Sequence, residues 1–101
     1  MAEVAVNALP PGVSPEALAQ LLSDQLDREE LLQTVIRRFE RCYGESLDTM
    51  EARLARGEGP EHPDWEDSIE WRNAVESLRR TQMMRKVLEW LLGSIVPLTA
   101  S

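Results

Sequence analysis

Apolar residues recur along most of the chain at the three- and four-residue spacing typical of amphipathic helices. The clearest case is residues 27–43, where one helical face of about 140° collects Leu31, Leu32, Val35, Ile36, Phe39, Cys42 and Tyr43. Asp27 and Glu30 form a variant of the capping box at the start of this segment, and Gly44 follows at the usual position after a helix end. The pattern therefore predicts a helix over residues 27–43.

Two shorter helices are predicted on either side of it. Ser14 is a good N-cap and Pro15 suits a first helical position, so a short helix is expected from residue 14 to about residues 23–26. After Gly44, Ser46 caps a helix that ends at Gly57. Its narrow apolar stripe is too small for a stable isolated helix, so it is expected to pack on a neighbour.

The last helix is predicted from Asp64 to Leu92, with Gly93 and Pro97 ending it. At 1.5 Å per residue it would be about 43 Å long. A compact domain of this size has a diameter of roughly 33 Å. The last helix is therefore expected to extend beyond the rest of its own domain.

The apolar face of the last helix changes direction along its length. The first half presents Trp71, Ala74, Val75 and Leu78, and the second half presents Met84, Val87, Leu88, Leu91, Leu92 and Ile95. The second stripe is turned by about 130° from the first. Either the helix breaks between Thr81 and Met83, or its two halves pack on different bodies. The second explanation is favoured because no Gly or Pro lies there.

These elements predict an all-α protein of four helices with a long C-terminal helix, assembled as an oligomer. The simplest assembly is a two-fold homodimer. The oligomer interface is predicted at Met84, Leu88, Leu91, Leu92 and Ile95. Residues 14–96 would form a single helical domain, and residues 97–101 a C-terminal tail. Residues 1–13 would form a flexible tail or a short strand, because Val4 and Val6 alternate before Pro10.

Length and composition narrow the functional classes. With 101 residues and 11.5 kDa, the chain has room for one hydrophobic core. A single cysteine excludes an intrachain disulfide framework. No apolar run reaches the ~20 residues of a membrane span and the first residues lack a basic signal-peptide start, so a cytoplasmic protein is expected. The net charge of −7 argues against non-specific binding to nucleic acid or to anionic membranes.

Candidate chemistry is sparse. His62 is the only histidine, and Cys42 falls on the apolar face of the best helix, where a small core residue is expected. A zinc site needs four converging ligands, so no metal site is predicted. The sequence also has no glycine-rich phosphate loop and no nucleophile elbow. We therefore predict a non-enzymatic protein with no catalytic residues and no cofactor.

The strongest local charge feature is an acidic run at the start of the last helix, Glu58, Glu61, Asp64, Glu66, Asp67 and Glu70. It is either a solvated helix start favoured by the helix dipole or an acidic surface for a basic partner. Of three tryptophans on the last helix, Trp71 is predicted in the core, and Trp65 and Trp90 at interfaces. The predicted partner-binding residues are Trp65, Glu66, Asp67 and Glu70.

Two stretches carry a resemblance to a known class of proteins. They are Tyr43-Gly44-x-Ser46-Leu47-x-x-Met50 and His62-Pro63-Asp64-Trp65-Glu66-Asp67-Ser68-Ile69-Glu70-Trp71. Together with Gly57, they resemble small helical proteins of bacteria and archaea, several of which are antitoxin-like partners in toxin–antitoxin pairs. The resemblance covers residues 35–75 and implies a mostly α, non-enzymatic protein that binds a partner protein.

Three functions therefore stay open at the level of sequence. The first is an antitoxin-like interaction module that binds a basic partner protein, and the second is a structural homodimer with no other ligand. The third is a DNA-binding regulator, because a strand at residues 3–9 followed by two helices is loosely similar to a ribbon-helix-helix unit. The third is disfavoured because that strand has no Arg or Lys to contact phosphates or bases.

Overall fold

The computed structural model describes residues 13–58 and 61–95, with the backbone alone at residues 61, 62 and 95. Within these ranges the chain forms three helices and no strand: α1 (Pro15–Tyr43), α2 (Leu47–Ala55) and α3 (Glu61–Ile95). The all-α class is confirmed. The strand considered for residues 3–9 and the tail at residues 97–101 lie outside the described residues.

The first two predicted helices are one continuous helix, α1. Ser14 caps it as predicted, its side chain accepting a hydrogen bond from the Ala17 backbone N–H at 3.0 Å. The boundary predicted near Asp27 is wrong, because the helix runs through that position without interruption. The described chain therefore has three helices where four were predicted. A capping-box pattern inside a long helix has no free backbone N–H to satisfy, and Asp27 is simply exposed there.

The two turns that position α2 follow the predicted signals. Gly44 adopts a φ of +64°, in the left-handed region that favours glycine, and its N–H donates to the Glu40 carbonyl at 2.8 Å. The Ser46 hydroxyl then accepts a hydrogen bond from the Thr49 N–H at 3.1 Å. The chain thus leaves α1 and enters α2 within three residues.

Helices α1 and α3 form a long antiparallel hairpin. The Phe39 and Trp71 rings stack with centroids 5.6 Å apart, while Glu29, ten residues earlier on α1, bonds to Arg85, fourteen residues later on α3. The α1 seam positions in this register are Leu18, Leu22, Gln25, Glu29, Leu32, Ile36, Phe39 and Tyr43. The facing α3 positions are Asp67, Trp71, Ala74, Leu78, Thr81, Arg85, Leu88 and Leu92. Spacings of four and three residues alternate in both series, as in a left-handed coiled coil.

This seam explains why the apolar stripe of α3 changes direction in the sequence. No break occurs between Thr81 and Met83, because α3 is continuous there. Thr81 and Arg85 continue the line of Trp71 and Leu78, and they meet polar α1 residues instead of apolar ones. Arg85 Nε donates to Glu29 Oε2 at 2.7 Å, and beyond this polar layer the seam becomes apolar again at Leu88.

The hydrophobic core lies at one end of the hairpin, where α2 packs beside α1 and α3. It consists of Phe39, Leu47, Met50 and Trp71, with Val35, Ile36, Tyr43, Leu54 and Val75 packed against it. We call residues 35–75 the head, and residues 15–34 and 76–95 the arm. The molecule measures 59 × 24 × 19 Å, and α3, at about 52 Å, accounts for most of the long axis.

Candidate functional site

Helix α2 is held against α3 by an ionic cluster centred on Arg72. Its Nε donates to Glu51 Oε2 at 3.0 Å and its Nη2 donates to Asp48 Oδ1 at 3.1 Å, with a further bond from Nη2 to Glu51 Oε1. Hydrogen bonding to Arg72 lowers the pKa of Glu51, and the same bonds raise the pKa of Arg72. The cluster fixes the separation of the two helices on one side of the head.

A second arginine fastens the far end of α2 to the start of α3. Arg53 Nη2 donates to Glu45 Oε1 at 2.8 Å and to Asp64 Oδ2 at 3.4 Å, and its Nη1 reaches the Glu58 carbonyl at 3.4 Å. One side chain thereby contacts the turn before α2, the turn after it and the first turn of α3. The loop that leads into α3 is consequently tied to α2.

Beside Arg72, α2 and α3 form an open cleft of about 320 Å³. It is lined by Glu51, Leu54, Ala55, Trp65, Ser68, Ile69, Arg72 and Asn73. Trp65 is 58% exposed and Ile69 46% exposed, so two large apolar side chains are open to solvent at one wall. The Ser68 hydroxyl donates to the Trp65 carbonyl at 2.7 Å, which leaves the buried serine satisfied within its own helix. The cleft is therefore an apolar surface with a charged rim.

The net charge of the protein is concentrated around this cleft. Residues 45–72 contain nine acidic side chains and three arginines, a formal −6 of the total −7. The remaining residues together carry −1. The acidic charge therefore lies mainly in the part of the head formed by residues 45–72, while the head as a whole carries a formal −4 and the arm −2.

The four predicted partner-binding residues are not equivalent. Trp65, Glu66 and Glu70 are exposed on α3, and the two glutamates lie next to the Trp65 and Ile69 wall of the cleft. Asp67 is half-buried on the seam and accepts a hydrogen bond from the Tyr43 hydroxyl. Burial and this bond to a carboxylate raise the pKa of Tyr43. Asp67 therefore lies at the end of the seam and does not line the cleft.

The contribution of α2 to the site was missed by sequence reasoning. The predicted partner-binding residues all lie on α3, whereas Glu51, Leu54 and Ala55 of α2 also line the cleft. The available signal was the spacing of Trp65, Ile69 and Asn73 at four-residue intervals, which marks a second partly apolar face on α3. This spacing does not show that α2 packs opposite that face, because the contact joins residues that are far apart in the sequence.

The predicted oligomer-interface residues separate into two groups. Leu88 is only 4% exposed and belongs to the seam within one chain, and Leu92 is half-buried at a seam position. Leu88 is therefore removed from the candidate interface. Met84 is 49% exposed and Leu91 half-buried beside the seam, while the side chain of Ile95 lies outside the described residues.

Cys42 corrects another prediction. Instead of serving as a small core residue it is exposed, because its helical position is beside the seam and not on it. No group of three His, Cys, Asp or Glu side chains in the described part of the chain is arranged to hold a metal ion. The His62 side chain lies outside that part.

None of the helices in residues 13–58 and 61–95 combines the length and apolarity that a bilayer crossing requires. No protein-family model matches the sequence, and neither curated proteins nor solved structures give a significant match.

Proposed function

We propose that this protein is a non-enzymatic interaction module that binds a basic segment of another protein at the cleft between α2 and α3. The observation that carries the proposal is the exposure of Trp65 and Ile69 over an apolar cleft, within the region that holds a formal −6. Exposed tryptophan beside a pocket is typical of the residues that dominate binding energy at interfaces. The acidic surroundings favour approach by a positively charged partner.

The rigidity of the cleft supports the same function. Arg72 and Arg53 each bridge α2 and α3 through ion pairs, so the cleft walls are positioned before any partner arrives. A preformed groove loses less conformational entropy on binding than a mobile one. The antitoxin-like resemblance gives this partner a class: a small basic protein whose activity the bound module would control.

The test uses peptides selected from a random displayed library on the intact protein. We expect selected peptides to combine basic residues with a large apolar side chain. Trp65→Ala should weaken their binding at least about tenfold, measured by fluorescence anisotropy of the labelled peptide. Trp90→Ala is the matched control, because Trp90 is also exposed (68%) but lies on the arm. Equal binding by parent and Trp65→Ala, or a selected acidic consensus, would disprove the assignment.

A separate pair of variants tests the contribution of the acidic residues beside the cleft to peptide binding. Glu70→Lys changes the charge beside the cleft, and Glu76→Lys makes the same change at an exposed position on the arm. Peptide association should slow with the first variant and should lose part of its dependence on ionic strength. An equal effect of Glu76→Lys would show that the net charge of the whole protein controls the association rate, and not the local charge beside the cleft.

A further inference from the structure

The arm has an uncovered apolar side that the proposed function does not use. On α3 this side carries Met84, 49% exposed, and Val87, 51% exposed, with Leu91 between solvent and seam. On α1 it carries Leu21, 49% exposed, two helical turns before Arg28. Arg28 and Met84 line one small cleft between the helices, which places both helices' residues on the same side of the hairpin. We call Leu21, Met84, Val87 and Leu91 the arm patch.

Within the described residues, the arm is packed only along the seam between its two helices. Two helices bury only the seam between them, and in this seam the middle layer is polar: Gln25 and Glu29 face Thr81 and Arg85. A partly buried ion pair contributes little to stability compared with an apolar layer. In the head, α2 covers one side of the hairpin, but no described element covers the arm patch.

We propose that the arm patch binds the arm patch of a second copy of this chain, which gives an antiparallel four-helix dimer. The arm side is about 30 Å long and, from the molecular cross-section of 24 × 19 Å, about 20 Å wide. Two such surfaces would bury roughly 1,200 Å² in total, the lower end of the range for stable specific complexes. A second copy of the chain can cover the arm patch with its own arm patch, so no other component is needed.

The charge distribution favours the arm over the head as the contact surface of the dimer. It also favours an antiparallel over a parallel arrangement of the two chains. Residues 45–72 of the head carry a formal −6, so contact between these segments of two chains would be repulsive, whereas the arm carries only −2. An antiparallel arrangement of arms also places the two heads at opposite ends. The dimer would then be about 90 Å long, against about 60 Å for a parallel pair. This inference is independent of partner binding at the head, since the two surfaces share no residue.

The primary test measures the mass of the full chain at about 100 µM, by light scattering after gel filtration. We expect a dimer, with a maximum dimension near 90 Å by small-angle X-ray scattering. Leu21→Glu should raise the dimer dissociation constant at least about tenfold, because it buries a carboxylate in the interface. Leu26→Glu is the matched control: Leu26 is 48% exposed, on the same helix, but on the other side of the hairpin.

Circular dichroism of both variants separates loss of the interface from loss of the fold. A parent chain that is monomeric at this concentration would overturn the proposal. So would a dimer that Leu26→Glu dissociates while Leu21→Glu leaves it intact.

Crosslinking then tests the direction. In an antiparallel dimer the two copies of Val87 lie near the symmetry axis, so Val87→Cys in a Cys42→Ser background should form a crosslinked dimer with a short bismaleimide. The native Cys42, in the head, should not, since the heads are at opposite ends. A native chain that crosslinks efficiently through Cys42 would rule out the antiparallel arrangement.

Discussion

Met50 lies where all three helices meet and has no exposed surface, although α2 has only nine residues. It is packed among Leu47, Phe39 and Trp71 and is the side chain that anchors α2. Replacing it by alanine leaves a cavity that these neighbours fill only in part. Met50→Ala should therefore lower the free energy of unfolding by about 2–4 kcal/mol in urea titrations.

The control for this substitution is Met83→Ala, since Met83 is 63% exposed on α3. We expect its effect to stay within about 0.5 kcal/mol. Equal effects of the two substitutions would show that α2 is not held by the core that surrounds Met50.

The polar layer of the seam gives a second prediction at the scale of individual residues. The Arg85 and Glu29 side chains are 23% and 14% exposed, and Gln82 also reaches Glu29 at 3.4 Å. Arg85→Leu leaves the Glu29 carboxylate short of its main donor and should cost about 1–2 kcal/mol in urea unfolding. The double variant Glu29→Leu/Arg85→Leu should be at least as stable as the parent, because leucine continues the apolar seam. A double variant less stable than the parent would contradict this role.

At the scale of elements, two glycines are expected to respond in opposite directions to alanine. Gly44 has a φ of +64° after α1, whereas Gly93 lies inside α3 with no positive φ, and an added Cβ would contact nothing within 4 Å at either site. Gly44→Ala should therefore destabilise the protein by about 1 kcal/mol through backbone strain. Gly93→Ala should stabilise it by about 0.5–1 kcal/mol through helix propensity. Thermal unfolding of the two variants measures both, and a stabilising Gly44→Ala would show that the α1–α2 turn tolerates another conformation.

The attachment of α2 to α3 should depend on pH through Glu51. Hydrogen bonding to Arg72 lowers the pKa of Glu51 below the ordinary 4.5, so its contribution to stability is complete above that pH. The contribution is lost as the pH falls through the lower, folded-state value. Unfolding experiments from about pH 7 to about pH 3 should show Glu51→Gln less stable than the parent at the neutral end, with the difference shrinking in acid. Glu76→Gln should show no such pH-dependent difference.

Local signals predicted several helix ends correctly, but the end predicted at Gly93 was wrong, because α3 continues through Gly93 to Ile95. The Ser14 and Ser46 caps and the Gly44 turn involve residues three or four apart, and all are present as predicted. The boundary near Asp27 was wrong because the sequence pattern shows a cap but not whether the backbone is already hydrogen-bonded. The apolar stripe of α3 changes direction in the sequence because a polar residue, Arg85, lies on the seam, and its place there depends on Glu29, which is 56 residues away. The cleft between α2 and α3 depends on similar long-range contacts.

At the scale of the whole molecule, stability and charge are both unevenly distributed. The core cluster lies in the head, while the arm is a two-helix hairpin with a polar middle layer. Backbone amides of residues 36–43 and 69–75 should therefore exchange with deuterium more slowly than those of residues 18–30 and 80–92. Mass spectrometry at low protein concentration measures this difference. Protection of the arm amides should rise with protein concentration. If the arm amides are as protected as those of the head at every concentration, stability is not unevenly distributed between head and arm.

The three tryptophans give the chain an optical reporter in each of its regions. Trp71 is 1% exposed in the core, whereas Trp65 and Trp90 are 58% and 68% exposed at the cleft and on the arm. Replacing two of them by phenylalanine leaves one indole whose emission wavelength responds to its own surroundings alone. Folding, occupation of the cleft and events on the arm can then be followed separately, with no dye attached to the protein.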